Sequence, residues 1–215
     1  MPLAILDKKI WFPPVSDADE EGLLAMGGAL EIERLKLAYK NGIFPWYEGH
    51  TPLWWCPDPR FVLFPGNLKV SKSMQKIIAK SNFTFTVNNV FPKVIHACKN
   101  IPRKGMDGTW INSDIIKAYI ELHHLGFAHS AETWLDGKLV GGLYGIQMGT
   151  IFFGESMFST VSNASKFAFI SYVRFLQSQH VQMIDCQVYS EHLESLGAAF
   201  IPRNDFIKIL EENIP

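Results

Sequence analysis

The sequence has little cysteine, little net charge and no long apolar run, and each shortage narrows what the chain does. Three cysteines in 215 residues, Cys56, Cys98 and Cys186, form no Cys-x-x-Cys pair, and any disulfide scheme leaves one of them over. That usage fits a reducing compartment, so a cytoplasmic protein is expected. No stretch approaches the roughly 18 apolar residues that span a bilayer, and no basic leader precedes an apolar segment near Met1. A soluble, unprocessed chain with no membrane partner is expected. The formal net charge of −1 gives no overall basic surface, so a nucleic-acid partner would have to be met by a local patch. The histidines, His123 and His124 included, lack metal-ligand spacing, and no metal or other cofactor is expected. There is no internal repeat and no low-complexity tract.

What is present is apolar and aromatic. At 47% hydrophobic and 13% aromatic residues, the chain buries a substantial core. Residues 1–66 hold four of the six tryptophans and most of the prolines, and read as a small N-terminal domain. Its clear helix runs from about Glu31 to Lys40, with Ile32, Leu35 and Tyr39 at helical spacing and Asn41-Gly42 as the stop. A Pro- and Trp-rich loop follows. Residues 67–215 read as a larger domain. The pattern predicts a helix over Ser71–Lys80, a strand around Phe83–Val87 and helices over Pro92–Asn100 and Ser113–Leu125. Strands at Ala128–Leu135, Lys138–Met148 and Thr150–Gly154 come next, with Asp136-Gly137 a strong hairpin signal. A long helix (Asn163–Gln179), a strand (Gln182–Val188), a short helix (Ser190–Leu196) and a last strand (Ala198–Ile201) complete the order. This is an α+β chain with a mixed, mostly antiparallel sheet, and the order resembles the GNAT acyltransferase fold. GNAT acetyltransferases hold coenzyme A on a glycine-rich loop before the long helix, whereas Phe158–Lys166 contains no glycine, which disfavours an acyl-CoA donor.

The chemistry-bearing residues sit in apolar surroundings. Asp185, Cys186 and Gln187 lie near the end of an apolar run, and Glu155 lies within Gly154–Ser159. Buried carboxylates are paired, hydrogen-bonded or await a cationic ligand. Read as one strand, Asp185 and Gln187 share a face, with Ile184, Cys186 and Val188 opposite. The pair either orients an attacking amine or satisfies backbone groups, and Glu155 either holds a cation or caps nearby backbone. Cys186 is expected to pack in the core, not to act as a thiol nucleophile. Lys72, Lys76 and Lys80 share one side of their helix, as a phosphate-binding strip or as a solvated face. Trp46 and Trp110, in loops of different regions, suit stacking on a base from both sides, while Trp54 and Trp55 read as packing residues.

Taken together, these segments resemble the bacterial leucyl/phenylalanyl-tRNA-protein transferases. The matching stretches are Gly22–Gly28, Tyr39–Trp46, Leu53–Arg60, Gly108–Ile111, Gly141–Gly145, Gly154–Ser159, Asn163–Lys166 and Ile184–Gln187, in the family's order over most of the chain. The resemblance implies transfer of Leu or Phe, and Met less well, from aminoacyl-tRNA to proteins with N-terminal Arg or Lys. Such transfer marks them for degradation through the N-degron pathway, with the enzyme acting as a monomer. It further implies that Trp46 and Trp110 sandwich the terminal adenine with help from Tyr39, and that Lys72, Lys76 and Lys80 meet the acceptor stem. Leu143, Phe152, Phe169, Tyr172 and Ile184 would form the amino-acid pocket, and Asp185, Gln187 and Glu155 the catalytic group. Two rivals remain, a non-catalytic tRNA-binding module and a CoA-dependent GNAT acetyltransferase.

Overall fold

In the computed structural model, which describes residues 3–80, 82–102 and 109–215, short strands and short loops dominate the first third of the chain. Strands β1 (Ala4–Leu6), β2 (Leu23–Gly27), β3 (Phe44–Pro45) and β4 (Leu53–Trp55) form a four-stranded sheet in the order β1-β2-β4-β3, with helix α1 (Ile32–Lys40) between β2 and β3. None of these strands exceeds five residues, too short for alternation to register in the sequence, so the expected Pro- and Trp-rich loop is in part a sheet. Trp54, on β4, is fully buried and donates its indole N–H to Gly27 O at 2.9 Å.

The next strand, β5 (Arg60–Leu63), joins a different sheet. With α2 (Lys72–Lys80), β6 (Thr84–Val87), α3 (Phe91–Asn100), α4 (Ser113–His124), β7 (Ala128–Leu135), β8 (Lys138–Met148), β9 (Ile151–Ser159), α5 (Ala164–Ser178), β10 (Met183–Asp185), α6 (Glu191–Ser195), β11 (Ala199–Ile201) and α7 (Arg203–Asn213), it completes the chain. The larger sheet has the order β11-β5-β10-β9-β8-β7-β6, and only β9 and β10 pair in parallel. Residues 1–66 therefore supply strands to both sheets. Asn112 caps α4 by accepting from the backbone N–H groups of Asp114 and Ile115, and Asp136 and Gly137 turn β7 into β8 with positive φ. Helix α7 follows the last expected strand, and its Phe206 and Leu210 are buried at a spacing of four.

One apolar cluster joins the N-terminal sheet and α1 to α3, α4 and one face of the larger sheet. A second fills the other face, beneath α5. Alternation along β9 assigns its side chains to these faces: Phe152 lies in the second cluster and Phe153 in the first. Beyond Gly154 the phase inverts, with Met157 against the second cluster and Phe158 in the first. The cause is a bulge. Gly154 pairs with Gly145 and Ser156 with Tyr144, so Glu155 is the extra residue with nothing opposite.

Candidate active site

The site arises where two parallel strands part company. β10 bonds to β9 only through Met183↔Ile151, Ile184↔Phe152 and Asp185↔Phe153. β9 continues to Ser159, but β10 stops at Asp185, and the chain turns at Gln187 with φ 58°. The N–H of Val188 donates to Cys186 O at 2.8 Å, closing a three-residue turn about Gln187. A non-glycine residue held there costs about 1–3 kcal/mol, which the surrounding contacts must offset. The expectation of a strand from Gln182 to Val188, with Asp185 and Gln187 side by side, is thus corrected.

Two cavities open in the gap. The first, of about 380 Å³, is lined by Leu143, Phe152 and Ile184 from adjacent strands and is roofed by Phe169, Tyr172, Val173 and Leu176 of α5. These strand residues share one face of the sheet, and the roof residues recur at helical spacing, which is why the slot is apolar. All the residues expected for the amino-acid pocket meet here. Phe152 and Tyr172 stand edge to face with centroids 5.0 Å apart, and Gly145 leaves room for the Phe152 ring, since a Cβ there would come within 2.4 Å of it. The second cavity, of about 210 Å³, is lined by Phe44, Pro45, Trp46, Trp110, Glu155, Gln187 and Val188. Trp46 and Trp110 therefore do face a common space, although Trp110 is only 8% exposed against 41% for Trp46. The Trp55 indole N–H donates to Trp46 O at 2.6 Å and orders that corner. Gly108, part of the motif around Trp110, lies outside the described residues.

Glu155, Gln187 and Val188 line both cavities. The Glu155 carboxyl oxygens lie 2.8 Å from the Tyr39 hydroxyl and 3.1 Å from that of Tyr119, and the two hydroxyls are in hydrogen-bond contact with each other; an ionised Glu155 leaves only two protons for these three contacts. Burial pushes the Glu155 carboxyl up to about 7, partly opposed by the two phenols. Burial likewise drives both phenols well above their ordinary value, so they remain protonated donors. Tyr39 is 1% exposed and lines neither cavity itself; its hydroxyl lies beneath Glu155, which lines both. Tyr119 was not anticipated, because on the buried face of α4 it reads as core.

Of the states expected for a buried carboxylate, Asp185 is in the paired one. It is fully buried and already has a cation: Arg60 Nε and Nη2 donate to its two oxygens at 2.7 and 2.6 Å. Burial alone lowers the Arg60 pKa, but the adjacent Asp185 carboxylate reverses this and raises it. Asp185 Oδ1 also accepts the backbone N–H of Gln187 at 2.9 Å. The Gln187 Nε2 is buried without a hydrogen-bond partner among the described residues. Cys186 lines the apolar cavity after all, but burial pushes its thiol up and leaves it a poor nucleophile. Lys72, Lys76 and Lys80 are exposed along α2, which packs through the buried Met74. Among the described residues no group of His, Cys, Asp and Glu is arranged to hold a metal ion, and no helix is long and apolar enough to cross a membrane.

Comparison with known proteins places this geometry. The sequence profile described as leucyl/phenylalanyl-tRNA protein transferase matches residues 62–211, and that of the N-terminal domain of the same family matches residues 28–58. A leucyl/phenylalanyl-tRNA–protein transferase of Flavobacterium johnsoniae is 57% identical over 207 residues, covering 96% of this chain and 98% of the relative. One from Syntrophus aciditrophicus is 52% identical over 215 residues, covering 100% of this chain and 90% of the relative. Among solved structures, FemX aligns over 83% of this chain and 71% of its own at a TM-score of 0.52 and 10% identity, a likeness of fold alone. The α+β architecture with its mixed, mostly antiparallel sheet agrees with the expected fold class.

Proposed function

Since the chain belongs to the leucyl/phenylalanyl-tRNA protein transferase family and is an aminoacyltransferase acting on aminoacyl-tRNA and protein, we propose that it moves Leu or Phe, and Met less well, to proteins with N-terminal Arg or Lys. The observation that carries this reading is the pair of cavities sharing Glu155 and Gln187. A 3′-terminal adenine suits the aromatic cavity between Trp46 and Trp110, where base stacking is worth about 1–3 kcal/mol. The aminoacyl side chain suits the slot of Leu143, Phe152, Phe169, Tyr172 and Ile184, an apolar space that favours side chains unbranched at Cβ, with each well-fitted methylene worth about 1–3 kcal/mol. The ester bond then lies at the junction. Lys72, Lys76 and Lys80 meet the acceptor stem.

The reaction asks little of the protein, because the ester is already activated. An acceptor α-amine, with a pKa of about 7.7–8.0, is partly free base near neutrality. Its nitrogen forms an amide bond to the ester carbonyl carbon, the carbon–oxygen bond to the ribose breaks, and the amine proton goes to the departing ribose oxygen. Positioning and charge placement dominate such a step. Asp185 and Gln187 orient the amine, with the unpartnered Gln187 amide at the junction, and Glu155 meets the cationic side chain of the acceptor's first residue. Addition of Leu or Phe marks the acceptor for N-degron degradation in the cytoplasm, and the enzyme acts as a monomer with no cofactor.

Transfer of labelled Leu from charged tRNA to two peptides, identical except for Arg or Ala at the N-terminus, tests the reading. Labelling of the Arg peptide alone is expected. Equal labelling of both removes the cationic acceptor, and no labelling with tRNA still bound leaves a tRNA-binding module.

A further inference from the structure

Arg60 has no part in the reaction just described, yet few charged side chains among the described residues are so thoroughly enclosed. It opens β5, is fully buried, holds both Asp185 oxygens, and places its Cζ 4.7 Å from the Phe44 ring centroid and 4.6 Å from that of Phe206. A forked, ring-faced guanidinium has one orientation, which lysine does not reproduce. Stability alone is a weak reason for such a pair, because apolar replacements of a buried ion pair are often neutral or better.

The contacts suggest another reason. The Asp185 Oδ1 that receives Arg60 Nε also receives the backbone N–H of Gln187, the left-handed centre of the turn between the two cavities. β5 flanks the same turn from the other side: Cys186 N–H donates to Phe61 O at 2.9 Å, and Phe61 N–H to Gln187 O at 3.4 Å. We infer that Arg60 is a positioning residue for acyl transfer, holding the Gln187 turn and its side-chain amide at the meeting point of the cavities through the Asp185 carboxylate. Asp185 then also acts through Gln187, and of the two carboxylates only Glu155 is left to meet an acceptor's cation. The inference rests on the proposed transfer reaction.

Arg60→Lys and Arg60→Met, assayed for leucyl transfer to the Arg peptide and checked for folding by near-ultraviolet circular dichroism, test it. A displaced reacting group of this kind is expected to lower kcat about 10²-fold in both variants. KM for either substrate is expected to stay within about twofold. The double variant Arg60→Met/Asp185→Asn is expected to be no slower than the slower single variant, because the residues act in series. A folded variant with near wild-type kcat, a loss confined to KM, or losses that multiply in the double variant would overturn the inference. Should Arg60→Met fail to fold, Arg60→Lys keeps the charge and is read in the same way. Wild-type protein run in parallel separates the two claims: no transfer by wild type defeats the proposed function and the Arg60 inference with it, whereas active wild type beside unimpaired variants defeats the inference alone.

Discussion

Asp185 and Glu155 are both carboxylates enclosed at the same junction, and their surroundings could hardly differ more. Asp185 faces a guanidinium that takes both its oxygens. Glu155 faces two phenols, and burial lifts its carboxyl to about 7, with Asp185 adding to the rise and Arg60 opposing it. Phenols donate hydrogen bonds but bring no positive charge, so the ionised form of Glu155 remains electrostatically incomplete. Under the proposed function the difference separates two parts for an acid: a matched charge positions, and an unmatched one is left for the acceptor's cation.

The largest effect expected from breaking this contrast is at Asp185. Asp185→Ala strands the buried Arg60 charge and is expected to cost about 3–5 kcal/mol in urea denaturation at neutral pH. A loss under about 1 kcal/mol would mean that the guanidinium finds other partners and that the pair is not matched as described. Glu155→Gln is expected to do the reverse for stability. With a folded pKa of about 7 above the ordinary 4.5, the folded chain retains the proton that the unfolded chain has released. Stability from this group is therefore full below pH 4.5, falls as the pH rises, and is lost through pH 7. Removing the ionisation should stabilise the protein by about 1–3 kcal/mol at pH 8 and by little at pH 5, read from thermal denaturation at both. The same variant should lose transfer to the Arg peptide by about 10²-fold, so greater stability with undiminished transfer would assign Glu155 no reserved charge.

Two smaller tests sharpen the contrast at its edges. Trp46→Ala is expected to weaken aminoacyl-tRNA binding by about 1–3 kcal/mol while leaving thermal stability nearly unchanged, whereas Trp110→Ala should lower both, because Trp110 is buried and Trp46 is exposed. Equal stability losses would make Trp46 a core residue. Among the described residues the lysines of α2 are exposed and form no ion pair. Each of Lys72→Ala, Lys76→Ala and Lys80→Ala should reduce the salt dependence of tRNA binding by about one unit of slope, with no change in peptide KM. An unchanged slope would return them to a solvated helix face.

The sequence made the meander of β7, β8 and β9 and the long helix α5 legible, because alternation, the Asp136-Gly137 turn and helical spacing are local signals. Residues of the apolar slot came from the family resemblance instead, since periodicity assigns a residue to a face but not to a cavity. The partnership of Arg60 with Asp185 was not, as residues 125 apart leave no periodic trace of their pairing. Glu155 was expected at the end of its strand, but β9 runs on through it, because a bulge adds one residue without any composition that announces it. Tyr119 was hidden by its own success as a core residue. Helix α7 carries its own local signal, with Phe206, Ile207 and Leu210 at helical spacing.

The place of β5 has a consequence for biosynthesis. Its partners β10 and β11 lie at Met183–Asp185 and Ala199–Ile201, so a ribosome that has made Arg60 must add well over half of the chain before the strand has anything to pair with. Until then the guanidinium and the apolar side chains beside it stay open to water and to chaperones, and the loop that finally closes is among the longest in the fold. Assembly of the reactive junction is accordingly a late, long-range event, and nascent or prematurely ended chains would be inert toward charged tRNA however well their first sheet had formed.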